Sequence, residues 1–121
     1  SDLLINDVFL VIRTSRTTQH SRMPSILQTW FHFSPNTTHV ITNGELADLY
    51  PFISSDFYPH LHQTHCKPKY SVANLCCQTA AEFHLYYQQQ YKYQWLCRFD
   101  DDQYVNVPRL IEYLRQFSAD N

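Results

Sequence analysis

The chain has 121 residues, room for one domain, and 44% of them are hydrophobic against 17% charged, so it can bury a core and is not a disordered tail. Nine Lys and Arg against eleven Asp and Glu leave a formal charge of −2, which argues against nucleic-acid binding by phosphate neutralisation. A single glycine, Gly44, excludes the Gly-rich phosphate loops of the Walker and dinucleotide types; no apolar run approaches the roughly 20 residues of a bilayer span, and no signal-peptide pattern opens the chain.

The first element is DVFLVIR at residues 7–13, a continuous apolar, β-branched run that reads as a strand buried on both faces. A polar loop leads to Ser21, which can cap a helix, with Pro24 in its first turn and Met23, Ile26, Leu27 and Trp30 at helical spacing. The residues 34–36 stop it, and residues 38–42 form a second short strand closed by the turn pair Asn43 and Gly44. Between residues 45 and 65, Pro51 and Pro59 break the pattern, so a short helix is expected at 45–50 and irregular chain after it. Over residues 71–90, Val72, Leu75, Cys76, Thr79, Ala80, Phe83 and Tyr87 make one apolar helical face, which leaves Glu82 as a solvated carboxylate. The tyrosines from 86 to 93 read as a partly buried helix end. Residues 93–99 form a third strand, followed by Asp100, Asp101 and Asp102. Asn106 then caps a last helix carrying Leu110, Ile111, Leu114 and Phe117. Strands alternating with helices imply an α/β layered domain with a mainly parallel sheet.

In such sheets ligands bind beyond the carboxyl ends of the strands, which is where the three aspartates fall. Adjacent carboxylates repel one another unless a cation, donors or water compensate, and hard oxygen ligands select Mg²⁺, Mn²⁺ or Ca²⁺. An EF-hand is excluded, since the loop lacks its Gly and its terminal Glu. The alternative is a solvated acidic turn ahead of a helix N-terminus. Cys66, Cys76, Cys77 and Cys97 contain no C-x-x-C pair, and the seven histidines show no metal-ligand spacing and read mostly as solvent-facing. With the sequon at Asn36, Thr37 and Thr38, the cysteines suit the secretory pathway.

The stretch WLCRFDDDQYVN (residues 95–106) resembles the aspartate motif of the fringe family of β-1,3-N-acetylglucosaminyltransferases. DVFLVIRT (7–14) is similar to that family's first strand. His20, Ser21 and Arg22 followed by LQTW (27–30) are similar to its next helix, and TNGE (42–45) to its Thr-Asp-Gly-Glu turn. Cys66 and LCCQTAAEF (75–83) resemble a family disulfide segment. The likeness covers roughly residues 7–117 in order. The related core-1 β-1,3-galactosyltransferases share the triplet and match less well around Gly44 and Cys66.

The resemblance implies an A-type glycosyltransferase fold, Rossmann-like and truncated after the aspartate motif, with residues 1–121 as its nucleotide-sugar-binding part. It implies inverting, Mn²⁺-dependent transfer of N-acetylglucosamine from UDP-GlcNAc to O-linked fucose on EGF-like repeats of Notch-type receptors in the Golgi. By the family pattern Asp102 ligates the metal, Asp101 and Arg22 contact the sugar nucleotide, and Cys66 pairs with Cys77. Asn36 is the expected glycosylation acceptor. The catalytic base is expected beyond Asn121, and a membrane anchor ahead of Ser1, so the chain reads as a fragment that alone does not transfer sugar. Cys76 is expected to be a buried helix thiol, and Cys97 to pair with a cysteine beyond the end. The sequence departs from the family at Asn43, which replaces an Asp, and at Gln78, which stands where a Lys is usual. It is also longer between Gly44 and Cys66. A core-1 type β-1,3-galactosyltransferase and a non-catalytic secreted α/β module with a solvated acidic loop are the competing readings.

Overall fold

β-Branched and aromatic side chains favour extended chain because they crowd the turns of a helix. In the computed structural model, which describes residues 3–67, 69–89 and 92–117, the first such run forms strand β1 (Val8–Arg13), buried along nearly its whole length. It lies in a four-stranded sheet with β2 (Thr38–Thr42), β3 (Leu61–Gln63) and β4 (Trp95–Asp100), in the order β3-β2-β1-β4. All three pairings are parallel, as the α/β reading requires. Parallel neighbours need crossovers. These are supplied by helix α1 (Gln19–Gln28), by two 3-10 segments at Leu46–Phe52 and Ser55–His60, and by α2 (Val72–Gln88), with α3 (Val107–Leu114) after β4.

The period-two alternation of β1 divides the core into two layers. Val8, Leu10 and Ile12 pack with Met23, Ile26 and Leu27 of α1 and with Val107, Ile111 and Leu114 of α3. Phe9 and Val11 face the other way, onto Ile41 and Leu85 of α2. Asn106 caps α3 by accepting the Arg109 N–H at 3.2 Å, and Ser71 caps α2 by accepting the Asn74 N–H at 3.2 Å.

Several expectations are corrected. Helix α1 starts at Gln19, ahead of Ser21, so Pro24 lies inside it. Its N-cap residue, Thr18, caps no helix N–H; its hydroxyl donates to Asp101 and accepts from the Ser15 hydroxyl, while Gln19 is anchored by the Thr42 hydroxyl at 2.6 Å. β3 and the 3-10 segment before it stand where irregular chain was expected, because a three-residue strand beside Pro59 leaves no periodic signal. Helix α3 ends at Leu114, and Phe117 follows in a hydrogen-bonded turn. The expected end of α2 at Gln90 lies outside the described residues, as does Tyr91.

The largest correction concerns the orientation of α2. Its expected apolar stripe points outward, with Val72 78%, Phe83 59% and Tyr87 70% exposed. The inner face is instead Gln78, Glu82 and Leu85. Cys76 is accordingly exposed rather than buried. Cys97 packs on the core from β4 with no disulfide partner among the described residues, and burial pushes its thiol above its ordinary value.

Candidate functional site

The carboxyl ends of β1 and β4, the α1 N-terminus and the chain around the disulfide enclose a cleft of about 480 Å³. Parallel register sets Arg13 opposite Asp100, and the chain then turns through Asp101 and Asp102. Three neighbouring carboxylates would repel if left bare, and the fold gives each a different environment.

Asp101 is buried, and both of its oxygens are engaged. Oδ2 accepts the hydroxyls of Thr14 at 2.7 Å and Thr18 at 2.6 Å, and Oδ1 accepts Arg22 Nη1 at 2.9 Å. The hydrogen bond to Asp101, followed by the Asp101 charge, holds the Arg22 guanidinium above its ordinary value, with a smaller contribution from Asp102. Asp100 is exposed and accepts Arg98 Nη2 at 3.0 Å. Asp102 is exposed on the cleft wall and has no hydrogen-bond or ion-pair partner among the described residues. Within the triplet, Asp102 is therefore the carboxylate free for a ligand.

Basic groups line the facing walls: Arg13, Arg22, Arg98, Lys67 and Lys69. The structure joins Cys66 to Cys77, with 5.8 Å between their Cα atoms. That link ties the loop carrying Lys67 to the first turns of α2. Asn43, the departure in the turn after β2, also lines the cleft, and its Oδ1 accepts the Arg16 N–H at 2.7 Å. Gly44 answers a close approach: a Cβ there would lie 2.8 Å from the Gln19 side-chain amide and 2.9 Å from the Arg16 Cα.

Of the expected site residues, the structure brings Arg22, Asp101 and Asp102 to one cleft and sets the Cys66–Cys77 link at its rim. Asn36 sits apart, exposed in the turn before β2. Sequence reasoning missed Arg13, Arg98 and above all Glu82, which is 1% exposed rather than solvated. The one available signal was an arginine in the last residues of each of two strand patterns, Arg13 ending the first and Arg98 just before the end of the other. The histidines are also sorted by the fold. His20, His32, His65 and His84 are exposed as expected, whereas His39 lies half-buried between neighbours. It stacks on Phe9 at 4.8 Å and on His60 at 4.3 Å, and its Nδ1 is 2.9 Å from His62 Nε2.

A parallel sheet whose strand ends present a free carboxylate among arginines and lysines defines an α/β domain of glycosyltransferase-like arrangement with a charged ligand cleft. Residues 3–121 match the Fringe-like family, and the chain belongs to that family. It is 35% identical to the β-1,3-N-acetylglucosaminyltransferase manic fringe of Danio rerio, over 98% of this chain and 31% of that protein. Against the fringe glycosyltransferase of Drosophila melanogaster the identity is 32%, over 94% of the chain and 26% of the relative. Against lunatic fringe of Xenopus laevis it is 31%, over 99% and 30%. The chain thus spans about a third of the length of the relatives it matches.

Proposed function

We propose that this chain is the nucleotide-sugar-binding part of a fringe-type N-acetylglucosaminyltransferase, with UDP-GlcNAc as donor and O-linked fucose on EGF-like repeats of Notch-type receptors as acceptor. The observation that carries the reading is the pairing, in one cleft of a fringe-family chain, of the unpartnered Asp102 with the Arg22–Asp101 ion pair. Asp102 is the proposed protein ligand of Mn²⁺. Among the described residues no cluster of three or more His, Cys, Asp or Glu is placed to hold an ion alone, and a hard cation that takes its other ligands from phosphate oxygens and water fits a single free carboxylate. Such an ion, when bound, offsets the charge that develops on departing UDP.

This chain's own residues bind and orient. Arg22 presents its remaining N–H donors to the nucleotide while Asp101 fixes its direction, which is the proposed role of Asp101 toward the donor. Thr14 and Thr18 hold Asp101 in turn. Inverting transfer also needs a base on the face opposite the leaving group. Asp100 is held by Arg98, Asp101 is buried and Glu82 is enclosed, so the base is assigned to the part of the relatives' length that this chain does not span. The Golgi lumen, an anchor outside these residues and N-glycosylation at Asn36 complete the proposal.

Calorimetric titration tests it. UDP should bind in the presence of Mn²⁺, Asp102→Ala should abolish the Mn²⁺-dependent part, and Asp100→Ala should have a smaller effect. Equal losses from both would make the triplet a diffuse acidic patch, and binding of Mn²⁺ indifferent to UDP would favour a non-catalytic module. Tighter binding of UDP-Gal than of UDP-GlcNAc would move the assignment to a galactosyltransferase.

A further inference from the structure

On the α2 side of the sheet, β1 presents Phe9, Val11 and Arg13 in sequence, and β4 presents Leu96, Arg98 and Asp100 beside them. Both rows turn from apolar to charged toward the cleft. Helix α2 answers in kind, with Leu85 over the apolar part and Glu82 over the arginines. The Glu82 carboxylate accepts three N–H groups: Arg13 Nε at 2.6 Å, Arg13 Nη2 at 2.9 Å and Arg98 Nε at 2.9 Å. The Thr79 hydroxyl accepts a further bond from Arg13 Nη2, and Asp100 Oδ1 one from Arg98 Nη2 at 3.0 Å.

Glu82 and Asp100 balance the charges of the two guanidinium groups, so what the cluster offers an anion is directed N–H donors. Each guanidinium has five N–H donors, and Nη1 of Arg13 and of Arg98 has no partner among the described residues. Both arginines line the cleft that holds Asp102. An arginine free in solution loses rotamer freedom when it grips an anion, and one already clamped does not.

We propose that Glu82 is a positioning residue for anion binding: it clamps Arg13 and Arg98 from beneath so that their unspent N–H groups meet the diphosphate of a nucleotide ligand. This rests on the nucleotide-sugar reading of the cleft and names the groups that carry the diphosphate. Glu82 itself touches no ligand and acts through the two arginines.

The test is calorimetric titration of the 121-residue chain with inorganic pyrophosphate and, separately, with UDP, in metal-free buffer. Wild-type protein should bind pyrophosphate, and Glu82→Gln, folded by circular dichroism, should bind it about tenfold more weakly. In an Arg98→Ala background the same change should cost much less, because part of what Glu82 positions is gone. A folded Glu82→Gln protein with wild-type affinity, or an unreduced effect in the Arg98→Ala background, would leave Glu82 with a structural role only and overturn the proposal. If Glu82→Gln does not fold, Arg98→Lys decides: it keeps the charge but loses the fixed fork, so affinity should fall severalfold, and unchanged affinity would refute the clamp. Wild-type protein that binds pyrophosphate but not UDP would support the clamp and remove the nucleotide reading. Failure to bind pyrophosphate at all would overturn the inference.

Discussion

Acid should unfold this protein through His39. Its ring lies between Phe9 and His60, with His62 in hydrogen-bond contact, and a proton placed there would be poorly hydrated. Burial first, then the charges of His60, His62 and Lys92, hold its pKa down to about 3, against an ordinary 6.5. His62 is shifted the same way, by burial and by His60. The unfolded chain therefore takes up a proton at His39 below pH 6.5 that the folded chain refuses until about pH 3. Stability is complete above pH 6.5 and falls as pH drops through that window. Integrated from pH 7.5 to 4.5, the His39 contribution is about 2.5 kcal/mol. His39→Phe keeps a flat ring of similar size for the stacking and removes the titration. Urea unfolding followed by circular dichroism at pH 7.5, 6.5, 5.5 and 4.5 should show wild type losing about 2 kcal/mol more than the variant across the series. Carboxylates common to both proteins cancel in that difference. Parallel loss in the two proteins would refute the reasoning and place the acid sensitivity elsewhere.

Other perturbations have equally definite outcomes. Gly44→Ala drives a Cβ against Arg16 backbone and the Gln19 amide, so urea denaturation should show a loss of about 1–3 kcal/mol. Cys66→Ser with Cys77→Ser opens a loop between residues 11 apart. The loss should be about 3 kcal/mol, and wild-type protein in reducing agent should fall to the same stability. Asp101→Ala strips Thr14, Thr18 and Arg22 of their acceptor and should cost about 2–3 kcal/mol in thermal or urea unfolding. An unchanged midpoint would mean that water replaces the carboxylate. Arg22→Ala should weaken UDP binding by calorimetry and also lower the melting temperature by a smaller amount than Asp101→Ala, since the buried Asp101 carboxylate loses its ion-pair partner but keeps the Thr14 and Thr18 hydroxyls.

The strands and helices that pack on the apolar layers were legible because each carries its own local signal. Residues 8–12 are apolar without a break, and Asn106 bonds a backbone group three residues away. The aspartate motif and the cysteine segment were legible as resemblances, since they are short strings that a family keeps together. What misled was the period of α2. Val72, Phe83 and Tyr87 look like a core stripe, and hydrophobic spacing has no means of ranking that stripe below a face containing a carboxylate. The fold prefers Glu82 inside because two arginines from neighbouring strands offset the cost of burying its charge.

By itself, then, the sequence determined the α/β class, the order of its principal elements and the position of an acidic loop at the end of a strand, all of which rest on contacts within a few residues along the chain. Only the tertiary structure decided which aspartate stays free, which way α2 faces and which histidine is shielded from water. Those choices depend on partners 69 residues apart for Arg13 and Glu82, 79 apart for Arg22 and Asp101, and 23 apart for His39 and His62. Charge and burial act through space, and parallel crossovers bring together side chains that no local pattern pairs.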